Sequence, residues 1–352
     1  MKTLAAILVE QKQPLVIDEV EVPALQIGQV LVKVVCSGIC GSQLGEIDGV
    51  KGPDKFLPHL LGHEGGGSVL ETGPGVTRVK VGDRVVLHWR KSSGMESAAP
   101  RYGWNGKTVN AGWVTTFNSH AVVSENRLTK VADDLDYEVA ALMGCAVTTG
   151  LGVVVNNAGL RIGESILVLG AGGVGLSVIQ GAALTSAYPI IAVDVYDNRL
   201  ALAKSMGATH IINGRQDDLR GSVRQIVGES GAEVVVETTG RASMIEVAYE
   251  LSGPTGRVVL VGVPKKGENI SIYTLPLHFG KSIIGSHGGE ANPQTDIPRY
   301  CNLYRAGKLS LKQLISDRFS LDEINTAISR MRDGSIPGRC MILMSSSGRE
   351  MP

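Results

Sequence analysis

The chain has no surplus of charge: Lys and Arg together number 34, and so do Asp and Glu. Without an excess of either sign there is no broad field to gather nucleic acid or anionic lipid, so small-molecule partners are expected, with neither nucleic acid nor a membrane among them. Long hydrophobic runs are also missing, and none approaches the ~20 residues that cross a bilayer. Cysteine is scarce: Cys36, Cys40, Cys145, Cys301 and Cys340 are an odd number without a disulfide-scaffold spacing, which points to a reducing, cytoplasmic setting. The opening "MKTLAAILVEQ" is apolar only briefly, lacks a cleavage pattern and runs into acidic residues, so a first β-strand is expected there rather than a targeting segment.

Glycine, by contrast, is plentiful, with 45 in 352 residues, which implies many tight turns and close backbone approaches and favours β-rich or α/β structure. A chain this long exceeds one compact core, so two domains are expected. Up to about residue 146 the sequence is short β-branched runs broken by Gly and Pro, such as "QVLVKVVCSG", "GGGSVLETG" and "DRVVLHW". Helical spacing begins in "DLDYEVAALMGCAVTTGLGVVV", and strands then alternate with helices to about residue 288, the signature of a parallel sheet covered on both faces. Two amphipathic helices, over 296–315 and 320–334, and a last strand "CMILM" follow, and the tail "SSSGREMP" reads as disordered. The expected division is 1–146, completed by 289–352, around a dinucleotide-binding domain 147–288.

Within "SILVLGAGGVGLSVIQ", Gly170, Gly172 and Gly175 form G-x-G-x-x-G between a strand and a helix, with Gly173 and Val174 between the last two. The first glycine permits the turn, the second lets a pyrophosphate approach the backbone, and the third lets helix and strand pack closely. Asp194 closes the next strand about 20 residues on, where a carboxylate accepts hydrogen bonds from the adenosine ribose and repels a 2′-phosphate. Val195 and Tyr196 after it offer no cation, so NAD is expected over NADP; Asp197 and Arg199 read as residues that flank the next helix.

Cys40, His63 and Cys145 each adjoin glycine, in "GICGS", "GHEGGG" and "MGCAVTTG". They are too far apart for a zinc-finger repeat. Two thiolates and one imidazole with a fourth position open would describe a catalytic zinc site, whereas each residue alone has an ordinary packing explanation.

Together these motifs resemble the zinc-dependent medium-chain dehydrogenase/reductase family of alcohol, sorbitol and threonine dehydrogenases. The likeness spans nearly the whole chain, with "GHE" and its glycine cluster, "VKVGDRV", "VLGAGGVG" and "LVGVP" in the family's order. It implies a Rossmann doubly wound parallel sheet plus a β-rich GroES-like catalytic domain, and a dimer or tetramer of identical chains. It makes Cys40, His63 and Cys145 the zinc ligands, Glu64 a carboxylate near the metal, and Ser42 the hydroxyl that relays the substrate proton. It sets Thr149, Val261 and Val263 beside the nicotinamide and Arg339 at the pyrophosphate.

The chain also departs from the family. Where many members carry an Asp that anchors the metal-bound histidine, Gln43 stands, and metal affinity is expected to weaken about 10–100-fold. The histidine that ends the proton relay in many alcohol dehydrogenases falls at Gly45. Residues 86–123 lack the four cysteines of the structural-zinc lobe, so a single zinc is expected. That segment holds Trp89, Trp104 and Trp113, expected to form a small core in place of the metal; the rival reading lets Arg90 or Lys91 bind an anionic substrate. His59 reads as structural or surface rather than lining the site entrance.

The expected activity is reversible oxidation by NAD of a polyol, sugar or cyclitol alcohol, because Gly41 and Gly45 resemble polyol and amino-alcohol dehydrogenases. Two alternatives stay open: a zinc-free reductase using NADPH on enones, and a binding protein that kept the fold without the chemistry.

Overall fold

The run Ile166–Leu169 is apolar at all four positions because it lies inside a parallel sheet and is buried on both faces. In this computed structural model, which describes residues 1–344, that strand is central to one of two compact units. The tail 345–352 lies outside the described residues. One unit comprises 146–291 and 306–310; the other comprises 1–145, 292–305 and residues from 311 onward.

In the unit around Ile166–Leu169, six parallel strands line up as His210–Asn213, Ile190–Asp194, Ile166–Leu169, Ala232–Glu237, Ser252–Leu260 and Ser282–Gly285. Numbered along the chain, that order is 3-2-1-4-5-6, the doubly wound arrangement with its switch point between Ile166–Leu169 and Ala232–Glu237. Leu167, Leu169, Ile191, Val235 and Val258 build the core with Val247 and Leu251 of the helix Ala242–Leu251.

The other unit is antiparallel for the most part. Lys2–Leu8, Val16–Glu21, Arg101–Trp104, Lys107–Asn110 and His59–Leu60 close a small barrel. A second sheet runs Leu128–Lys130, Arg84–His88, Glu64–Thr72, Gln29–Ile39, Arg339–Leu343 and Ile315–Ser320, with His120–Ser124 added on Gln29–Ile39. The C-terminal strand therefore completes the sheet begun by the N-terminal half, pairing Cys340 with Ile39 and Leu343 with Cys36.

The helix expected over 296–315 is shorter and earlier, Pro293–Arg305. Gly307 with φ 68° ends it, and the residues beyond become a short turn and the strand Ile315–Ser320. The tryptophans do not share a core. Trp104 donates its indole N–H to Asp18 at 2.8 Å in the barrel wall, Trp113 lies over the Arg127 guanidinium at 5.1 Å, and Trp89 meets His63 edge-on at 6.4 Å. Carboxylates hold the segment instead. Glu125 accepts the backbone N–H of Thr77 and Arg78 at 2.6 Å and of Met95 at 2.8 Å, while Glu96 pairs with Arg127 at 3.0 Å and Lys91 at 3.5 Å. Among the described residues no single helix is long and apolar enough to cross a membrane.

His88, buried in Arg84–His88, donates from Nδ1 to the carbonyl of Arg90 and accepts at Nε2 from Thr129 Oγ1. Burial pushes it down from the ordinary 6.5 to about 4. The folded chain thus refuses a proton that the unfolded chain accepts. Stability is complete above pH 6.5 and is lost as pH falls toward 4, by on the order of 3 kcal/mol at ~1.4 kcal/mol per unit. Denaturant unfolding across that range should show this loss, and His88→Gln should remove most of it.

Candidate metal centre and nucleotide-binding loop

Strand pairing brings the first two sulfur and nitrogen donors together. Gln29–Ile39 and Glu64–Thr72 run antiparallel with Ser37 opposite Gly65, so Cys40, just past the end of one, faces His63, just before the start of the other. Cys145 arrives because glycine lets the backbones touch. A Cβ on Gly66 would stand 2.2 Å from the Tyr137 carbonyl oxygen, and one on Gly144 would stand 2.7 Å from Cα of Glu64. The helix Tyr137–Met143 therefore lies directly on the strand and delivers Cys145 at its end. The ligand atoms of Cys40, His63 and Cys145 lie within 4.8 Å of one another.

The electrostatics suit a cation. The Cys40 thiol is held well below the usual thiol range, first by its hydrogen bond to Cys145, with His63 and the positive charge of Arg339 adding to it against the opposing effect of burial. His63 Nδ1 contacts the Gln43 amide, and its Nε2 is buried without a hydrogen-bond partner. Two sulfurs and an unsatisfied imidazole nitrogen are the donor set of a zinc site with room for a fourth ligand. Among the described residues no other group of His, Cys, Asp and Glu converges in this way.

Glu64 follows His63, so its side chain leaves on the other face of the strand. There it forms a buried ion pair with Arg339, and a Cβ on Gly38 would stand 2.7 Å from its Oε1. Glu64 is not among the convergent donors. Arg339, read from the sequence as a pyrophosphate contact, pairs with Glu64 in this structure. Ser42, two residues past Cys40, has a buried hydroxyl oxygen with no partner.

A cavity of about 890 Å³ opens beside His63 and Gln43. His59 lines it and also holds the structural role expected from sequence, with Nε2 2.8 Å from Asp54 Oδ2 and Nδ1 2.9 Å from the Leu60 carbonyl oxygen. Glu46, Arg101, Asn110 and the half-exposed Trp113 share the lining, whereas Arg90 and Lys91 do not. Lys91 pairs with Glu96, and Arg90 lies over the Trp89 ring at 5.9 Å. The pattern that marks these cavity residues appears only once the barrel is closed.

In the parallel-sheet unit, the glycine loop follows Ile166–Leu169 and opens the helix Gly173–Leu184. Gly170 has φ 98°, a left-handed conformation that other residues resist. A Cβ on Gly175 would stand 1.9 Å from the Gly170 carbonyl oxygen, so the helix packs on the loop only without one. A Cβ on Gly172 meets nothing within 4 Å; it would project into the open cradle before the helix N-terminus. Gly173 and Val174 form the first turn there. These features fit a dinucleotide pyrophosphate.

Asp194 Oδ2 accepts the Ala171 N–H at 2.8 Å, and Oδ1 accepts those of Val195 and Tyr196, which ties the carboxylate to the glycine loop. Sequence reasoning placed Arg199 only as a flank of the next helix and missed Arg215, and both lie beside this carboxylate's strand. Arg199 Nη1 is 3.8 Å from Asp194 Oδ2, and the guanidiniums of Arg199 and Arg215 lie over the Tyr196 ring at 4.9 and 5.5 Å. No local pattern in the sequence marks Arg215. Val261 donates its N–H to the Glu237 carbonyl, and Val263 is exposed. Thr149 is buried in the helix Ala146–Gly152 of the same unit. Glu237, also missed, is buried and pushed up by burial while it accepts N–H groups from Thr239 and Gly240.

Family models match both units: an alcohol dehydrogenase GroES-like domain over 26–133 and a zinc-binding dehydrogenase over 173–305. The chain is 32% identical over 363 residues to an S-(hydroxymethyl)glutathione dehydrogenase of Synechocystis sp., covering 95% of this chain and 98% of that one. The chain belongs to the zinc-dependent medium-chain alcohol dehydrogenases. This oxidoreductase acts on CH–OH donors. Among solved structures, benzyl alcohol dehydrogenase from Acinetobacter calcoaceticus matches with TM-score 0.88 and 29% identity, over 98% of this chain and all of that one. The 2R,3R-butanediol dehydrogenase of Bacillus subtilis matches with TM-score 0.79 and 26% identity, over 97% of this chain and all of that one.

Two glycines of this dehydrogenase should behave oppositely. Gly172→Ala is expected to melt within a few degrees of the wild type and to lose at least tenfold in dinucleotide affinity. Gly175→Ala is expected to lower the melting temperature sharply. Differential scanning fluorimetry and a fluorescence titration with NADH read the two effects separately.

Proposed function

We propose that this dehydrogenase uses NAD and one zinc ion to oxidise, reversibly, a primary or secondary hydroxyl of a polyol, sugar or cyclitol. The observation that carries the reading is the convergence of Cys40, His63 and Cys145 within 4.8 Å at a cavity with polar groups around it. Those three residues would hold the zinc, which supplies Lewis acidity that makes a hydroxyl easier to deprotonate. The backbone of Gly170, Gly172, Gly173, Val174 and Gly175, together with Asp194, would hold the dinucleotide, with Thr149, Val261 and Val263 serving its nicotinamide end; when bound it would supply the hydride acceptor. The Asp194 carboxylate, which would repel a 2′-phosphate, supports NAD over NADP.

Ser42 accepts the substrate proton at its unpartnered Oγ and passes it on. Gly45 has no side chain to continue the relay, so the proton leaves through solvent. Glu64 and Arg339, paired under the donors, keep a fixed charge balance there without touching substrate. Glu46, Asp54 and Asn110 offer donors and acceptors to several hydroxyls, with Asp54 held in place by His59, and Trp113 offers a flat face for a ring, a set that suits a polyhydroxylated substrate better than an aliphatic alcohol. Among the described residues the five cysteines form no disulfide, which suits a reducing cytoplasm.

Metal analysis of purified protein should return about one zinc per chain. Cys40→Ser or His63→Ala should lose the metal and at least 10³-fold in NAD turnover. A panel of polyols, sugar derivatives and aliphatic alcohols, followed by NADH absorbance with NAD and NADP in parallel, should favour polyhydroxylated substrates and NAD. Equal rates for simple alcohols would defeat the substrate assignment.

We also propose a homodimer or homotetramer formed through the edge strand Ser282–Gly285, where Ile284 is exposed and Tyr273 and Phe279 are exposed nearby in sequence. Light scattering should show a multimer for the wild type and a folded monomer for Ile284→Lys.

A further inference from the structure

Gln43 touches two buried groups that the proposed metal site sets against each other. Its Oε1 accepts the Cys40 backbone N–H at 2.9 Å, and its Nε2 meets His63 Nδ1. The side chain is 1% exposed, so water does not relieve either contact. An amide has one accepting and one donating end. Because Nε2 of Gln43 donates, His63 Nδ1 must present its lone pair, and a neutral ring then carries its proton on Nε2. That is the nitrogen left to bind metal, buried and without a hydrogen-bond partner.

Coordination through Nε2 requires the opposite tautomer, with the proton on Nδ1 and an acceptor facing it. Turning the amide over does not help. Oε1 would then accept from His63, but the two hydrogens of Nε2 would face the Cys40 N–H. In both orientations one donor meets another. A carboxylate at this position has two accepting oxygens and satisfies both groups at once.

We infer that Gln43 holds His63 in the tautomer that does not bind metal, so that zinc loading must break one of the two Gln43 contacts. Residue 43 is thus a positioning residue that lowers zinc affinity through the proton location on His63. The inference rests on the zinc reading proposed above. It predicts that the isosteric Gln43→Glu tightens zinc binding by about 10-fold or more, within the range that outer contacts to metal-bound histidines command. Gln43→Asp serves as a second variant should the first fail to fold.

Two measurements on the metal-stripped full-length chain decide it. Long-range 15N–1H correlation spectra should show the His63 proton on Nε2 in the wild type and on Nδ1 in the carboxylate variants. Competition with a chelator for zinc should show the tighter binding in those variants. A wild-type ring protonated on Nδ1, or carboxylate variants that fold and bind zinc no more tightly, would overturn the inference. The absence of zinc uptake in every variant would overturn the proposed function and this inference together, whereas uptake with equal affinity overturns this inference alone.

Discussion

The convergence of three ligands far apart in the chain rests on a steric constraint, the direct contact of backbones around the strand Glu64–Thr72. The strand bears on the helix Tyr137–Met143 through Gly66, on the turn before Cys145 through Gly144, and on the strand Gln29–Ile39 through Gly38, where the Glu64 carboxylate fills the space. Each missing side chain brings one donor-bearing segment about one side-chain layer closer. Burial then does the rest: the Cys40 thiol is drawn below its usual range by its neighbours, and the Glu64 carboxylate finds its counter-charge in Arg339. Chemistry and packing are therefore inseparable in this unit, since residues that never touch a ligand decide whether the ligands meet.

The parallel-sheet unit reaches its site by a more local route. The glycine loop, the strand before it and the helix after it are contiguous, and Asp194 comes from the adjacent strand to bind the loop backbone. For that reason much of this site was readable in the sequence. Gly170, Gly172 and Gly175 sit between a strand pattern and a helix pattern, and the doubly wound order followed from the alternation of elements. The donors Cys40, His63 and Cys145 were readable as well, though only through their glycine neighbours and their family likeness.

What stayed hidden depends on register and on three-dimensional closure. Arg215 reaches Tyr196 only because the strand His210–Asn213 lies beside Ile190–Asp194. His59 faces a cavity because the short strand His59–Leu60 closes the barrel against Lys2–Leu8 and Lys107–Asn110. The break of the expected helix at Arg305 followed from Gly307, whose left-handed φ outweighed a pattern of apolar spacing. The tryptophans misled because their number suggested a cluster, while each is held by a different partner. Gln43 was visible as a departure from the family, but the conflict it creates needed the second contact, to the Cys40 N–H, to be seen.

The strand Arg339–Leu343 has a consequence for how the molecule comes into being. It supplies one neighbour of Gln29–Ile39 and the counter-ion of Glu64, yet it follows them in the chain by the whole of the parallel-sheet unit. On the ribosome the unit around residues 146–291 emerges before this strand does, so the half that carries Cys40, His63 and Cys145 waits with one sheet edge bare until Arg339–Leu343 follows. Exposed edges of that kind invite pairing with the wrong strand. A nascent chain of this enzyme thus has its glycine-loop half ready before the other half can close, and loss of the strand Arg339–Leu343 strikes first at the half that holds Cys40, His63 and Cys145.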